Sequence, residues 1–150
     1  MKFLIICVGI FIVILAMGMI WARTAKRPNL GVKGGLLTVL PNKPNCVSTQ
    51  SGTTEQRMVP ISFAHSEAEA QRKLLIIATQ MLRCVVLEEK TGYIWVVYRS
   101  AVFGFPDDVE FLFDDESEVI HFRAAARLGY SDLGVNRKRM EEISTQFEKS

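Results

Sequence analysis

Hydrophobic positions fall along this chain in three regimes. From Phe3 to Ala22 the run FLIICVGIFIVILAMGMIWA carries no charge and is apolar on every side. Twenty helical residues rise about 30 Å, the thickness of a bilayer hydrocarbon core, so a transmembrane helix is predicted, with Trp21 at its interfacial end. Between Ser66 and Leu82 the apolar residues Ala70, Leu74, Ile77, Ala78 and Met81 recur at helical spacing. Ser66 and Glu69 form a capping box in front of them, which predicts a helix from about Glu67 to Leu82. Beyond Arg83 the pattern becomes short strand-like runs: Cys84–Glu88, Tyr93–Ser100, Val109–Phe113 and Val119–Ala125. Met140, Ile143 and Phe147 then mark the buried face of a last helix, Asn136 to about Glu148.

The breaks between these runs decide the topology. Thr91-Gly92, Gly104-Phe105-Pro106-Asp107 and Asp114–Ser117 are turn sequences too short for parallel crossovers, so successive strands must be antiparallel. Arg23–Gly35 reads as a linker, Leu36–Leu40 as a strand or a docked extended arm, and Val59–Phe63 as a strand. Residues 41–50, PNKPNCVSTQ, read as an ordered loop because proline restricts the backbone and asparagine suits turns. The fold class expected is α+β: an antiparallel β-meander of about four to five strands packed with two helices on one face, behind a single transmembrane helix. Residues 1–27 form the anchor with a basic flank, and 28–150 a soluble domain with a linker at about 28–35.

Charge sharpens this division. Of 18 basic residues, Lys2, Arg23, Lys26 and Arg27 lie in residues 1–27, which hold no acid; 14 basic and 16 acidic residues remain in 28–150. The basic flank suits anionic headgroups, whereas a nearly neutral domain lacks the footprint of a nucleic-acid binder. The positive-inside rule favours a cytoplasmic domain by a small margin, but a Met-Lys start also precedes many exported, tethered domains. A cleaved signal peptide is the competing reading, with Ala16-Met17-Gly18 as its small-x-small site. Of three cysteines, Cys7 is in the anchor, and Cys46 and Cys84 could pair only if the fold brings them together. No Cys/His spacing suits zinc and the two histidines, His65 and His121, are far apart, so neither metal nor cofactor is expected.

Two charge blocks are candidates for chemistry. Seven acids lie between Asp107 and Glu118; Arg123, Arg127, Arg137, Lys138 and Arg139 follow with only Asp132 among them. Antiparallel neighbours would bring the blocks together as structural ion pairs. Alternatively Asp107 and Asp108 orient Arg123, Arg127 or Arg137, whose remaining donors meet an anion. In a strand the two aspartates point to opposite faces and make no acid–base dyad. Three cations opening a helix oppose its dipole and need an anion, which Asp107 or Asp132 can supply. In the corner before that helix, Ser131 and Asp132 can bond nearby amides and Asn136 is a good N-cap. Cys46 has no local base and is not expected to act as a nucleophile.

Three stretches then carry a resemblance: Pro44-Asn45-Cys46-Val47-Ser48, Asp107-Asp108-Val109-Glu110-Phe111, and Arg123–Arg139 ending GYSDLGVNRKR. Over about Pro41 to Phe147 the chain resembles the domain of unknown function 1499 family. The resemblance implies a bacterial or plastid domain, often behind a membrane segment, with no established activity; a bacterial inner membrane is then the expected location. The chain departs from the family at Ala124, Ala125 and Ala126, where serines are usual, and at Phe105-Pro106, where an aliphatic residue usually precedes the aspartates. The expected function is a membrane-tethered binding or assembly module, with a possible protein partner in the membrane; the alternative is an enzyme or receptor acting on an anionic small molecule. Both would use Arg123, Arg127, Tyr130, Ser131, Asp132, Asn136, Arg137, Arg139, Asp107, Asp108, Asn45 and Cys46.

Overall fold

The structure, a computed structural model, describes residues 1–64 and 66–150; His65 lies outside the described residues. Helix α1 (Lys2–Thr24) is long and apolar enough to cross a membrane. An arm follows, with a small hairpin of β1 (Val32–Lys33) and β2 (Leu36–Leu37). Then come β3 (Cys46–Ser48), β4 (Ile61–Ser62), α2 (Glu67–Gln80), β5 (Cys84–Lys90), β6 (Tyr93–Arg99), β7 (Pro106–Asp114), β8 (Val119–Ala126) and α3 (Val135–Lys149).

The main sheet is antiparallel with order β3-β8-β7-β6-β5, and β4 shares the outer edge of β8 with β3. Alternation along the central strands sorts side chains to two faces. Val109, Phe111 and Phe113 of β7, with Ile120, Phe122 and Ala124 of β8, join Leu74, Ile77, Met140, Ile143 and Phe147 in one core beneath α2 and α3. The α+β architecture with both packed helices on one face is therefore as expected. Ser66 and Glu69 close the capping box that starts α2: the Glu69 amide donates to the Ser66 hydroxyl at 3.4 Å, and the Ser66 amide donates back to the Glu69 carboxylate.

The opposite face is not open. Leu30 and Leu37 of the arm pack with Leu87 and Leu112 against Tyr93 and Trp95, and the Arg27 guanidinium lies 4.3 Å from the Trp95 ring centre. Gln50 pins the arm by accepting from the Leu37 amide at 2.9 Å and donating to the Gly35 carbonyl at 3.2 Å. The arm thus acts as the third layer of a sheet whose second face carries polar groups.

Three local readings change. Cys46–Ser48 is a strand, not loop, paired to Arg123–Ala125. Its prolines all precede it, so its amides remain available to the ladder. Strand β7 begins at Pro106, a first-residue position that needs no amide, which places both aspartates within the strand. The residue before α3 is Gly134 at φ 79, and Asn136 is inside the helix; the capping oxygens come instead from Asp132, which accepts from the Gly134 and Asn136 amides at 3.1 and 2.8 Å.

Strand directions put the ends of α2, β6 and β8 and the starts of β5, β7 and α3 at one end of the sheet. Helix α1 joins there. Trp21 meets Phe105 edge-on at 5.7 Å between ring centres, and Phe105 stacks on Phe103 at 5.2 Å. Gly18 is packed so closely under Phe103 that a Cβ there would lie 2.4 Å from the ring. The β6–β7 loop therefore reaches down the side of α1.

Candidate functional site

On the helix-covered face, a polar chain links the three stretches singled out in the sequence. Asp107 faces α3 and accepts from Arg139 at 2.9 Å. Arg139 also donates to the Asn136 side-chain oxygen at 2.6 Å and lies 4.6 Å over the Tyr98 ring. Asn136 donates to the Asn45 carbonyl at 3.2 Å, and the same carbonyl accepts from the Ala126 amide at 3.1 Å. The Asn45 side chain donates to the Gly129 carbonyl at 3.1 Å. Burial pushes the Asp107 carboxyl above its usual range, with Arg139 acting against that. This chain fastens the corner and the helix start to the sheet.

Asp108 and Glu110 face the arm side. Asp108 takes a two-pronged contact from Arg127 at 2.7 and 2.8 Å and a third donor from the Trp95 indole at 2.9 Å. Glu110 accepts from the Tyr93 hydroxyl at 2.7 Å and faces Arg123 at 3.6 Å across the β7–β8 pair. Burial raises the Glu110 carboxyl, while Tyr93 and Arg123 lower it. Arg123 Nε and Nη1 and Glu110 Oε2 are buried without hydrogen-bond partners. Arg123 and Glu110 are nonetheless each other's nearest charge, and a small side-chain adjustment would join them.

The remaining candidates divide. Arg137 donates to the Glu55 backbone carbonyl rather than to Asp107 or Asp108. Ser131 accepts from the Leu133 amide at 3.2 Å, a turn role. Tyr130 points outward and is 72 % exposed. Cys46 is buried, with its thiol directed at the Pro41 and Lys43 carbonyls and the Gln56 amide donating to its sulfur. Burial raises the pKa of that thiol, which makes it a poor nucleophile. Cys46 and Cys84 are both free thiols, and β3 and β5 stand four strand spacings apart, roughly 19 Å, too far to bridge. Of the three alanines, Ala124 is sealed in the helix-side core and Ala125 packs with Leu40 and Cys46.

Sequence reasoning missed Glu110 as the partner of Arg123, and Tyr93 and Trp95 as donors. The signal was present in the alternation: Asp108 and Glu110, like Tyr93 and Trp95, are two apart and share a face. It also missed the arginines beside α1. Arg23, Arg83 and Arg99 are scattered in sequence and meet only because the strand ends and the helix end coincide.

An arginine–carboxylate network inside an α+β domain behind an apolar helix defines the class of protein. Residues 36–147 match the family described as protein of unknown function (DUF1499), and the chain belongs to that family. No curated protein and no solved structure matches it.

Proposed function

We propose that the chain is a membrane-anchored binding module whose Arg/Asp network braces a contact corner and carries out no reaction. The observation that carries this reading is the contrast between the two sides of residues 129–135. Underneath, Asn45, Asp132 and Asn136 hold the corner by hydrogen bonds. Outside, Tyr130 is 72 % and Leu133 94 % exposed, and Leu133 is held at φ 57. A large apolar residue in the left-handed region with its side chain in solvent costs on the order of 1 kcal/mol in backbone strain alone. A rigid corner presenting an aromatic and an aliphatic tip is what a pre-organised protein contact requires.

The anchor supports the same reading. Helix α1 packs through Gly18 and Trp21 on the β6–β7 loop, at the end of the sheet that also carries the corner. A partner of the corner would therefore lie at or in the membrane. Against catalysis at the cluster, its carboxylates Asp107, Asp108 and Glu110 all face arginines and are buried.

A photo-crosslinking side chain at position 130 of the full chain, activated in native membranes, tests this. The expected result is one defined protein adduct, lost in the Leu133→Asn variant; asparagine tolerates that backbone and should leave the melting temperature unchanged or higher. Adducts with lipid alone, or none, would overturn the reading.

A further inference from the structure

A pocket of about 580 Å³ opens where the end of α1 meets the β6–β7 loop. Arg23, Arg83, Arg99 and Arg127 all line it, and no acidic residue does. Arg127 is neutralised by Asp108. Arg23, Arg83 and Arg99 have no carboxylate within 4 Å among the described residues. Instead Arg83 donates to the Arg99 carbonyl at 3.0 Å and Arg99 to the Gly104 carbonyl at 3.1 Å, bonds that hold the side chains in place without discharging them. Like charges gathered on one concave wall repel, and an anion in the pocket would remove that cost. All three are exposed to solvent; Arg83 is tied to the end of β6, Arg99 to the β6–β7 loop, and Arg23 stands in the last turn of α1.

We infer that this pocket receives the phosphate of an anionic phospholipid headgroup, from the leaflet at the C-terminal end of α1. The inference rests on α1 being a membrane anchor, as proposed above. Position selects the ligand. Phe103 packs at Gly18, and Arg23 follows five residues later, about 7.5 Å further along the helix. With Phe103 at the acyl boundary, the arginines stand at headgroup height. Val102, 64 % exposed at the loop tip, and Trp21, 52 % exposed, complete an interfacial foot. Guanidinium groups suit phosphate because they present paired donors in a plane. A free phosphate offers the same chemistry but none of the reason for apolar side chains at the rim.

Arg83 also permits a clean test. It sits at φ 60, where asparagine is tolerated better, so Arg83→Asn removes the charge without straining the fold. The full chain is placed in nanodiscs of phosphatidylcholine with and without phosphatidylglycerol, and melting is followed by near-ultraviolet circular dichroism. Phosphatidylglycerol is expected to raise the midpoint by about 5 °C. The Arg83→Asn/Arg99→Gln pair should lose most of that rise, while Lys26→Gln/Lys33→Gln, equal in charge removed but outside the pocket, should keep it. Equal midpoints in the two discs, or equal loss in both double variants, would overturn the headgroup site. So would the same rise on adding inorganic phosphate to phosphatidylcholine discs, since the site would then be one for a free anion. Alkaline carbonate washing of vesicles carrying the full chain reports the anchor separately. Release by the wash defeats the anchoring reading, whereas retention with no phosphatidylglycerol response defeats the headgroup site alone.

Discussion

Asp108 is the residue on which most of the second face depends, since it answers Arg127 through two donors and the Trp95 indole through a third. Asp108→Ala would leave a buried guanidinium and an indole unpaired, and a loss of about 3–5 kcal/mol is expected in chemical denaturation. Adding Arg127→Met should recover much of it, because the uncompensated charge goes too. His121 gives a pH signature. It is half-buried beside the Thr49 hydroxyl at 3.1 Å, and burial lowers its pKa below the ordinary 6.5, with Asp114 acting the other way. The fold therefore favours the neutral ring. That contribution is fully present above about 6.5 and is lost as pH falls through the lower folded value. Melting of wild type and His121→Gln across this range should show wild type losing ground to the variant on acidification; a constant difference would refute it. At this scale the facing of side chains was legible, since period-two alternation separates Asp107 from Asp108. The pairings were not, because the register that sets Glu110 opposite Arg123 depends on the length of the β7–β8 turn, and turn sequences leave that open by a residue or two.

Among the elements, the contact between α1 and the β6–β7 loop decides whether anchor and domain behave as one body. A Gly18→Leu side chain cannot fit beside Phe103 and should lift the loop away. The matching positive test is the Gly18→Cys/Phe103→Cys pair in a Cys7→Ser background, expected to crosslink rapidly with mild oxidant in membranes. No crosslink would mean that the helix does not pack there. The long helices and the four strands β5–β8 were legible because each repeats its period often enough to stand out. Of the short strands, β2 and β4 fall inside the Leu36–Leu40 and Val59–Phe63 runs read as extended, whereas β1 and β3 were not legible: at two or three residues no periodicity exists, and in β3 the flanking prolines and asparagines dominate the signal. They exist because β8 and the second face offer edges and apolar surface for them to cover.

For the molecule as a whole, charge is polarised along the strands. The end joined to α1 carries Arg83, Arg99, Arg137 and Lys138 beyond the pairs Arg127–Asp108 and Arg139–Asp107, while the far turns carry Asp114, Asp115, Glu116 and Glu118. Against an anionic surface this polarity holds the domain upright, with the corner and the arginine pocket down.

The arm brings a mechanical consequence. It is both the tether to α1 and the cover of the second face, so a pull on α1 loads the cover directly. The load would reach Arg27 on Trp95 first, then Leu30, then the hairpin near Gln50. Contacts strained one after another yield at far lower force than contacts sheared together. The arm would thus peel while the core beneath α2 and α3 stays shut, baring Glu110 and Arg123 in a domain that is otherwise folded.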